Sequence, residues 1–308
     1  MKRRHFIKNA LLATGALSLP LSGNKIFAQS APASPSPGSP RPAVGFRKSI
    51  MWGTVKMEGS VLDKCKAIKA AGYEGIEPDS HMNRQEVIDA AKATGLALTS
   101  VTCYTHWRKL LSHPDAAVRR EGIDGAIVAL EDAAAYGTDA MLLVPGRVND
   151  TVSYDECWAR SVEGIRKLLP VAEKLKVKIC VENVWNNFLL SPMEACNYVD
   201  LFKSPYVKFY FDVGNILVYG WPEQWIRILG DRIARVHIKE FSKKIADKRG
   251  NREGFKVPLT EGDVDWPKVM SALRNSYKGG WLATEMGTNK TLDELKDLSA
   301  RFDKVLAQ

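Results

Sequence analysis

The sequence lacks the features that identify several common protein classes. Its five cysteines are odd in number and none are spaced as CxxC, so a disulfide framework is not expected. No GxGxxG turn follows the first apolar run, so nothing indicates a dinucleotide site. No block of like charge indicates a nucleic-acid surface, and no nucleic-acid partner is expected.

The N-terminus has the pattern of an export signal. Arg3 and Arg4 precede Phe6, and an apolar stretch then runs to Leu21. This resembles a twin-arginine signal peptide with cleavage after Ala28. The stretch is too short to span a bilayer after cleavage, so no stable membrane anchor is expected. We therefore expect a periplasmic or secreted protein, the alternative being a disordered basic tail.

Composition divides the chain into a signal peptide (1–28), a Pro/Ser-rich linker (29–43) and a folded part (44–308). The folded length suits a single (β/α)8 barrel of about 250 residues. The formal net charge is +9, but five basic residues and no acid precede the cleavage site. Subtracting these five charges leaves +4 for the mature chain.

Apolar runs of strand length alternate with amphipathic stretches of helix length, which predicts βα units and a parallel sheet. The strand candidates are residues 46–55, 75–78, 97–103, 140–145, 177–184, 207–213, 234–238 and 282–286. Helix signals lie between them, such as Ser191-Pro192 at a helix start and Gly95 past a helix end. Eight units favour an α/β fold of the closed TIM-barrel type over an open doubly wound sheet.

Four acid or imidazole side chains lie near the ends of four consecutive strand candidates: Glu182, Asp212, His237 and Glu285. Each of them alone is more often an ordinary strand-end polar group. In a parallel barrel, however, the carboxyl ends of the strands meet at one mouth. Three carboxylates crowded there repel one another, so the joint pattern predicts a bound cation.

The motifs around these residues resemble a known family. They are VENVW, YFDVGN, RVHIKEF, GDVDWPKVMSAL and GGWLATEM, in the family's order. Residues 46–308 are similar to the xylose isomerase-like barrel superfamily, and more closely to its sugar (phosphate) isomerases and epimerases. These include ketose 3-epimerases, hexulose-phosphate isomerases and hydroxypyruvate isomerases. The resemblance implies that Glu182, Asp212, His237 and Glu285 bind one divalent metal, Mn2+ before Mg2+ or Co2+.

The resemblance also makes Glu182 and Glu285 the catalytic acid/base pair. Further candidates for substrate binding are Glu77, His106, Asn215, Lys239 and Lys243. Three of them have an ordinary alternative: a solvated loop acid for Glu77, an unremarkable loop histidine for His106 and a carboxylate pair for Lys239. Asn215 departs from the family, whose epimerases usually carry a histidine there. Three tryptophans are candidates for apolar walls against sugar faces: Trp52, Trp107 and Trp185.

The implied chemistry is proton transfer next to a carbonyl through an enediolate, stabilised by the metal. It leads to epimerisation or isomerisation. A lyase or dehydratase acting on a 3-keto sugar or keto-glycoside by the same chemistry is an alternative, as is a non-catalytic sugar-binding barrel. Export and the lack of a phosphate loop favour a non-phosphorylated keto sugar. The multi-zinc DNA-repair endonucleases of the superfamily are rejected because the chain has only five histidines. A homo-oligomer is left open.

Overall fold

The structure is a computed structural model that describes residues 45–308. The predicted signal peptide and the whole of the predicted linker therefore lie outside the described residues. Their boundaries, and export itself, stay predictions.

Nine strands form one sheet in which every pairing is parallel. They are β1 (Arg47–Met51), β2 (Gly75–Glu77), β3 (Ala97–Leu98), β4 (Val101–Thr102), β5 (Ala140–Leu143), β6 (Lys178–Glu182), β7 (Val207–Asp212), β8 (Ile233–Ile238) and β9 (Trp281–Thr284). Their spatial order is β3-β2-β1-β9-β8-β7-β6-β5-β4. The two outermost strands of this order are consecutive in the chain, so the sheet curls round into a barrel.

The predicted third strand is corrected to two short strands, β3 and β4, interrupted at Thr99 and Ser100. The Thr99 carbonyl accepts hydrogen bonds from Arg235 Nε at 2.9 Å and from Thr138 Oγ1 at 2.7 Å. Side chains thus bind the backbone where the ladder stops. A parallel bridge between Asp79 and Thr102 joins the two sides of the gap. Counted as one, β3 and β4 give the eight strand positions of the predicted (β/α)8 fold, which is confirmed.

Helices alternate with the strands. They are α1 (Val61–Ala70), α2 (Arg84–Thr94), α3 (Ala116–Ala135), α4 (Tyr154–Leu175), α5 (Pro192–Asp200), α6 (Val213–Leu217), α7 (Pro222–Leu229), α8 (Lys243–Arg249), α9 (Asn251–Gly254), α10 (Trp266–Ser276) and α11 (Leu292–Leu306). The predicted boundary signals are confirmed. The Ser191 side chain caps α5 with proline in its first turn, and Gly95 ends α2 with φ of 65°.

The main core lies between the strands and the surrounding helices. A small second cluster fills the barrel interior: Ala140, Leu142, Cys180, Tyr210 and Ala234. All five cysteines are buried and unpaired. Among the described residues, no helix combines the length and the apolarity needed to cross a bilayer.

Candidate active site

The four residues singled out by the sequence come together at the carboxyl ends of adjacent strands. Glu182 ends β6, Asp212 ends β7, His237 is the last residue but one of β8, and Glu285 directly follows β9. Each offers one ligand atom, and these atoms all lie within 4.8 Å of one another. The first three side chains are buried, whereas that of Glu285 is 23% exposed.

The two ring nitrogens of His237 face different groups. Nδ1 lies 3.1 Å from Glu182 Oε1 and 3.0 Å from Glu285 Oε2. Nε2 lies 2.8 Å from Glu77 Oε2, and the other oxygen of Glu77 accepts the Tyr210 hydroxyl. A metal-binding histidine usually donates its second N–H to such a carboxylate, which fixes the ring. Nδ1 is therefore the nitrogen available to a metal.

Glu77 was expected to face the substrate, and this expectation is not met. Its side chain is 1% exposed and lies behind His237, away from the cavity. The reason is geometric: β2 ends with Glu77 pointing into the barrel, where its two oxygens reach His237 and Tyr210. Its contacts are those of a residue that positions His237.

Asp212 has one oxygen that remains unsatisfied. Its Oδ1 caps α6 by accepting the backbone N–H of Asn215 at 2.7 Å. Its buried Oδ2 has no hydrogen-bond partner among the described residues, and the Lys239 ammonium approaches it only to 3.3 Å. A buried carboxylate oxygen without a partner is costly. Such an oxygen, facing two further carboxylates and an imidazole, fits a divalent cation with preference for oxygen ligands.

The charges of the cluster shift the pKa values of its members in different directions. Burial raises the pKa of Glu182, and it raises that of Asp212 to about 7 although Lys239 opposes the shift. Burial acts the same way on Glu285, but there Lys239 and His237 prevail and the pKa is lowered. The Lys239 ammonium lies 2.8 Å from Glu285 Oε1, which explains the difference from Glu182. The negative charge of Glu285 is thus offset by its two neighbours, Lys239 and His237.

A cavity of about 370 Å3 opens directly onto this cluster. Its lining includes Glu182, Glu285, Lys239, His106, Trp107, Arg147 and Trp185. A larger cavity of about 450 Å3, lined by parts of 255–259 and 286–301, contains none of the four clustered residues. The smaller cavity is therefore the candidate substrate site, because charged groups of the cluster converge on it.

His106 lines this cavity as a neutral hydrogen-bond donor. Its Nδ1 lies 3.1 Å from the backbone nitrogen of Val144 and accepts that N–H. The remaining proton must then be on Nε2. Burial also lowers the pKa of His106 to about 4, although Glu285 opposes the shift. A neutral imidazole with a fixed tautomer is suited to donate to a substrate oxygen.

The other predicted substrate residues are placed unequally. Lys239 and Asn215 line the cavity. The amide of Asn215 also has local partners: Oδ1 accepts the Trp185 indole N–H, and Nδ2 donates to the Asn183 carbonyl. Lys243 is not among the lining residues, and its ammonium lies above the Trp221 ring at 5.5 Å.

Arg147 lines the cavity but was not among the sequence candidates. It lies in the loop after β5 and is exposed. The available signal was its position, four residues beyond Leu143 at the same barrel end as the other candidates. Among the expected tryptophans, Trp107 and Trp185 line the cavity, whereas Trp52 does not.

Comparison with known proteins identifies the family. The family profile described as xylose isomerase-like TIM barrel matches residues 65–303. The chain belongs to this family. One similar curated protein is L-ribulose-5-phosphate 3-epimerase UlaE of Escherichia coli O1:K1. The two sequences are 23% identical over 262 residues, which cover 80% of this chain and 89% of that protein. UlaE of Salmonella paratyphi A has the same identity and coverage.

Solved structures share the barrel of this xylose isomerase-like protein. The 3-keto-D-glucoside 4-epimerase YcjR from E. coli has a TM-score of 0.72 at 18% identity, covering 85% of this chain and all of that one. A D-psicose 3-epimerase has a TM-score of 0.69 at 18% identity, with the same coverage. At such identity the structural likeness shows the fold alone. The curated relatives are sugar epimerases, which are isomerases, and this supports an enzyme of that class.

Proposed function

We propose that this protein is a divalent-metal-dependent sugar epimerase or isomerase that moves a proton on a carbon next to a carbonyl, through an enediolate. One observation carries this function. Four ligand atoms from Glu182, Asp212, His237 and Glu285 converge beside a cavity that Glu182 and Glu285 line, and a buried oxygen of Asp212 has no hydrogen-bond partner among the described residues.

Glu182 and Glu285 are the proposed proton-transfer groups. Glu182 ends β6, and Glu285 directly follows β9. The two strands between them, β7 and β8, carry Asp212 and His237. The two carboxylates thus stand at opposite sides of the cluster, and both line the cavity. A sugar bound between them would present one face of its reacting carbon to each. Removal on one face and return on the other inverts the carbon.

The remaining groups stabilise charge. The Lys239 ammonium lies at the cavity, 2.8 Å from Glu285, and offsets negative charge that develops on the substrate oxygen. The neutral His106 donates its Nε2–H to a substrate oxygen. A bound divalent ion, held by the four clustered side chains, would supply the Lewis acidity that the enediolate requires.

The proposed substrate is a non-phosphorylated keto sugar or keto-glycoside. The relatives differ on this point, since one is named for a sugar phosphate and two for unphosphorylated sugars. The twin-arginine pattern of Arg3 and Arg4 supports the second group, because sugar phosphates are held in the cytoplasm. A lyase acting through the same enediolate is the second candidate.

Export can be tested on the twin-arginine pattern. Replacing both arginines by lysine should stop export of the protein. An intact Met1 peptide in the periplasmic fraction would contradict export with cleavage.

Metal content is the first test. Asp212→Ala and His237→Ala should each lose bound Mn2+ as measured by elemental analysis after dialysis, since each removes one of four ligands. His113→Ala, on the loop before α3, is the matched control and should keep the metal. Full occupancy in both ligand variants would show that the cluster is not a metal site.

Hydrogen exchange is the second test. Glu182→Gln and Glu285→Gln keep a ligand oxygen and remove the base, so turnover should fall about 10²- to 10⁴-fold while the metal stays bound. NMR in D2O against a panel of ketoses and 3-keto-glycosides measures the exchange and identifies the product. Loss of a substituent after proton removal would indicate the lyase. Binding without exchange for every sugar would indicate a non-catalytic barrel.

A further inference from the structure

Trp185 is a rigid indole with an unused surface. Its Nε1–H donates to Asn215 Oδ1 at 2.8 Å, so the polar edge of the ring is satisfied. The ring of Phe255 packs against it, with centroids 4.2 Å apart and planes inclined by 32°. Trp185 is nevertheless 46% exposed and lines the cavity. Two elements, the start of α6 and the segment after α9, hold the indole in place and leave about half of it exposed.

Trp107 contributes a second exposed indole to the same cavity. It is 47% exposed, and the edge of its ring system packs against His106. Trp107 follows β4 and Trp185 follows β6, with β5 between them. The loops that carry the two indoles therefore leave strands that are about 10 Å apart, at the same end of the barrel. This region lies to the β4 side of the four clustered residues.

We propose that Trp185, held by Asn215, forms one wall of a subsite for the second ring of a keto-glycoside. The inference rests on the proposed function, because it places the reacting keto sugar at the four clustered residues. The cavity of about 370 Å3 is larger than a single hexose ring requires. The carbon-bound hydrogens on a sugar face, or the face of an aryl group, pack on an indole and release water. Trp185 therefore selects glycosides over free monosaccharides.

Asn215 is the positioning residue of this subsite. Its two amide atoms bind Trp185 and the Asn183 carbonyl, and its backbone N–H binds Asp212. In this chain the amide acts on binding through the orientation of the indole.

Equilibrium binding to the Mn2+-supplemented full-length protein tests the wall. The probes are phenyl β-D-glucopyranoside and D-glucose, with Kd measured by ligand-observed NMR. The phenyl glucoside should bind more tightly, and Trp185→Ala should weaken its binding about tenfold more than that of glucose. Trp221→Ala is the matched control, because Trp221 is 58% exposed but does not line the cavity. Equal affinities of the wild type for both probes, or an equal effect of Trp221→Ala, would overturn the subsite.

A double-mutant cycle tests the role of Asn215. Asn215→Ala alone should reduce the preference for the phenyl glucoside, and in the Trp185→Ala background it should cause no further reduction. Trp185→Phe keeps an aromatic face but has no indole N–H, so it should retain part of the preference and be insensitive to Asn215→Ala. Additive effects of the two substitutions would refute positioning. Metal content measured on each variant excludes damage to Asp212.

The outcome separates this inference from the proposed function. Binding selectivity that depends on Trp185, without hydrogen exchange on any sugar, would support the subsite and refute the enzyme. Exchange on free ketoses without preference for glycosides in the wild type would support the enzyme and refute the subsite.

Discussion

The contact between Glu77 and His237 leads us to predict that Glu77 affects the affinity for Mn2+. This effect distinguishes a carboxylate that positions His237 from one that faces the substrate. Replacing a carboxylate that orients a metal-binding histidine costs about 10- to 100-fold in metal affinity. This corresponds to about 1.4 to 2.8 kcal/mol. If Glu77 instead faced the substrate, its replacement would change KM and leave the affinity for Mn2+ unaltered.

The structure assigns different magnitudes to two substitutions of Glu77. In Glu77→Gln, the amide oxygen that the substitution introduces can still accept the Nε2–H of His237, while the amide nitrogen faces Tyr210. The Tyr210 hydroxyl can then turn towards Ser100 Oγ, 3.2 Å away. Glu77→Gln should therefore lose only the charge, and its affinity for Mn2+ should fall about tenfold. Glu77→Ala leaves the buried Nε2–H of His237 unpaired, at about 1–3 kcal/mol, so its loss of affinity should approach 100-fold and its Tm should be lower.

Mn2+ titration by calorimetry and thermal unfolding of the metal-free protein measure the two effects separately. Tyr210→Phe is the control, since it removes the second hydrogen bond of Glu77 and keeps the contact with His237. Wild-type affinity for Mn2+ in Glu77→Gln, or an equal loss in Tyr210→Phe, would refute the positioning role.

Two further predictions concern stability. The pKa of His106 is lowered to about 4 by burial, so the unfolded chain binds a proton there between pH 6.5 and 4 and the folded protein does not. The contribution of His106 to the free energy of unfolding should therefore fall by about 3 kcal/mol as pH falls through that window. In urea titrations, the change in stability between pH 7 and pH 4 should be less unfavourable in His106→Gln than in the wild type by about this amount. His113→Gln should follow the wild type, and an identical pH slope in all three proteins would contradict the assignment. A Cβ at Gly214 would lie 2.8 Å from the Lys239 carbonyl oxygen, so Gly214→Ala should cost about 1–3 kcal/mol, whereas Gly53→Ala should be tolerated. Equal Tm values for the two glycine variants would show that the close approach relaxes freely.

The sequence was sufficient for the barrel and for the grouping of Glu182, Asp212, His237 and Glu285. Strand periodicity assigns a side chain to the inner or outer face, and parallel strands bring their carboxyl ends together. Neither relation depends on details of packing. The position of the cluster therefore follows from the order of polar residues along the chain.

Roles that depend on distance across the barrel could not be read in this way. Strand periodicity predicts that Glu77 points into the barrel. It does not reveal that Glu77 contacts His237, which is 160 positions away in sequence. It also does not show that the Asn215 amide binds Trp185, or that Lys243 points to Trp221. Arg147 lies in a loop with no periodic pattern, so its place at the cavity becomes visible only in the fold.

The reactivity of the five buried cysteines can report where the barrel opens. Burial raises the pKa of each thiol, to about 11 for Cys65 and Cys157, so little reactive thiolate exists while the barrel is closed. The thiols are distributed from α1 to α5, three on helices, one on a strand and one in a loop. Alkylation followed by peptide mass spectrometry would therefore measure, for each cysteine separately, how fast the surrounding part of the barrel becomes exposed. No label would have to be introduced, and the order of reaction would map which sectors of the barrel open first.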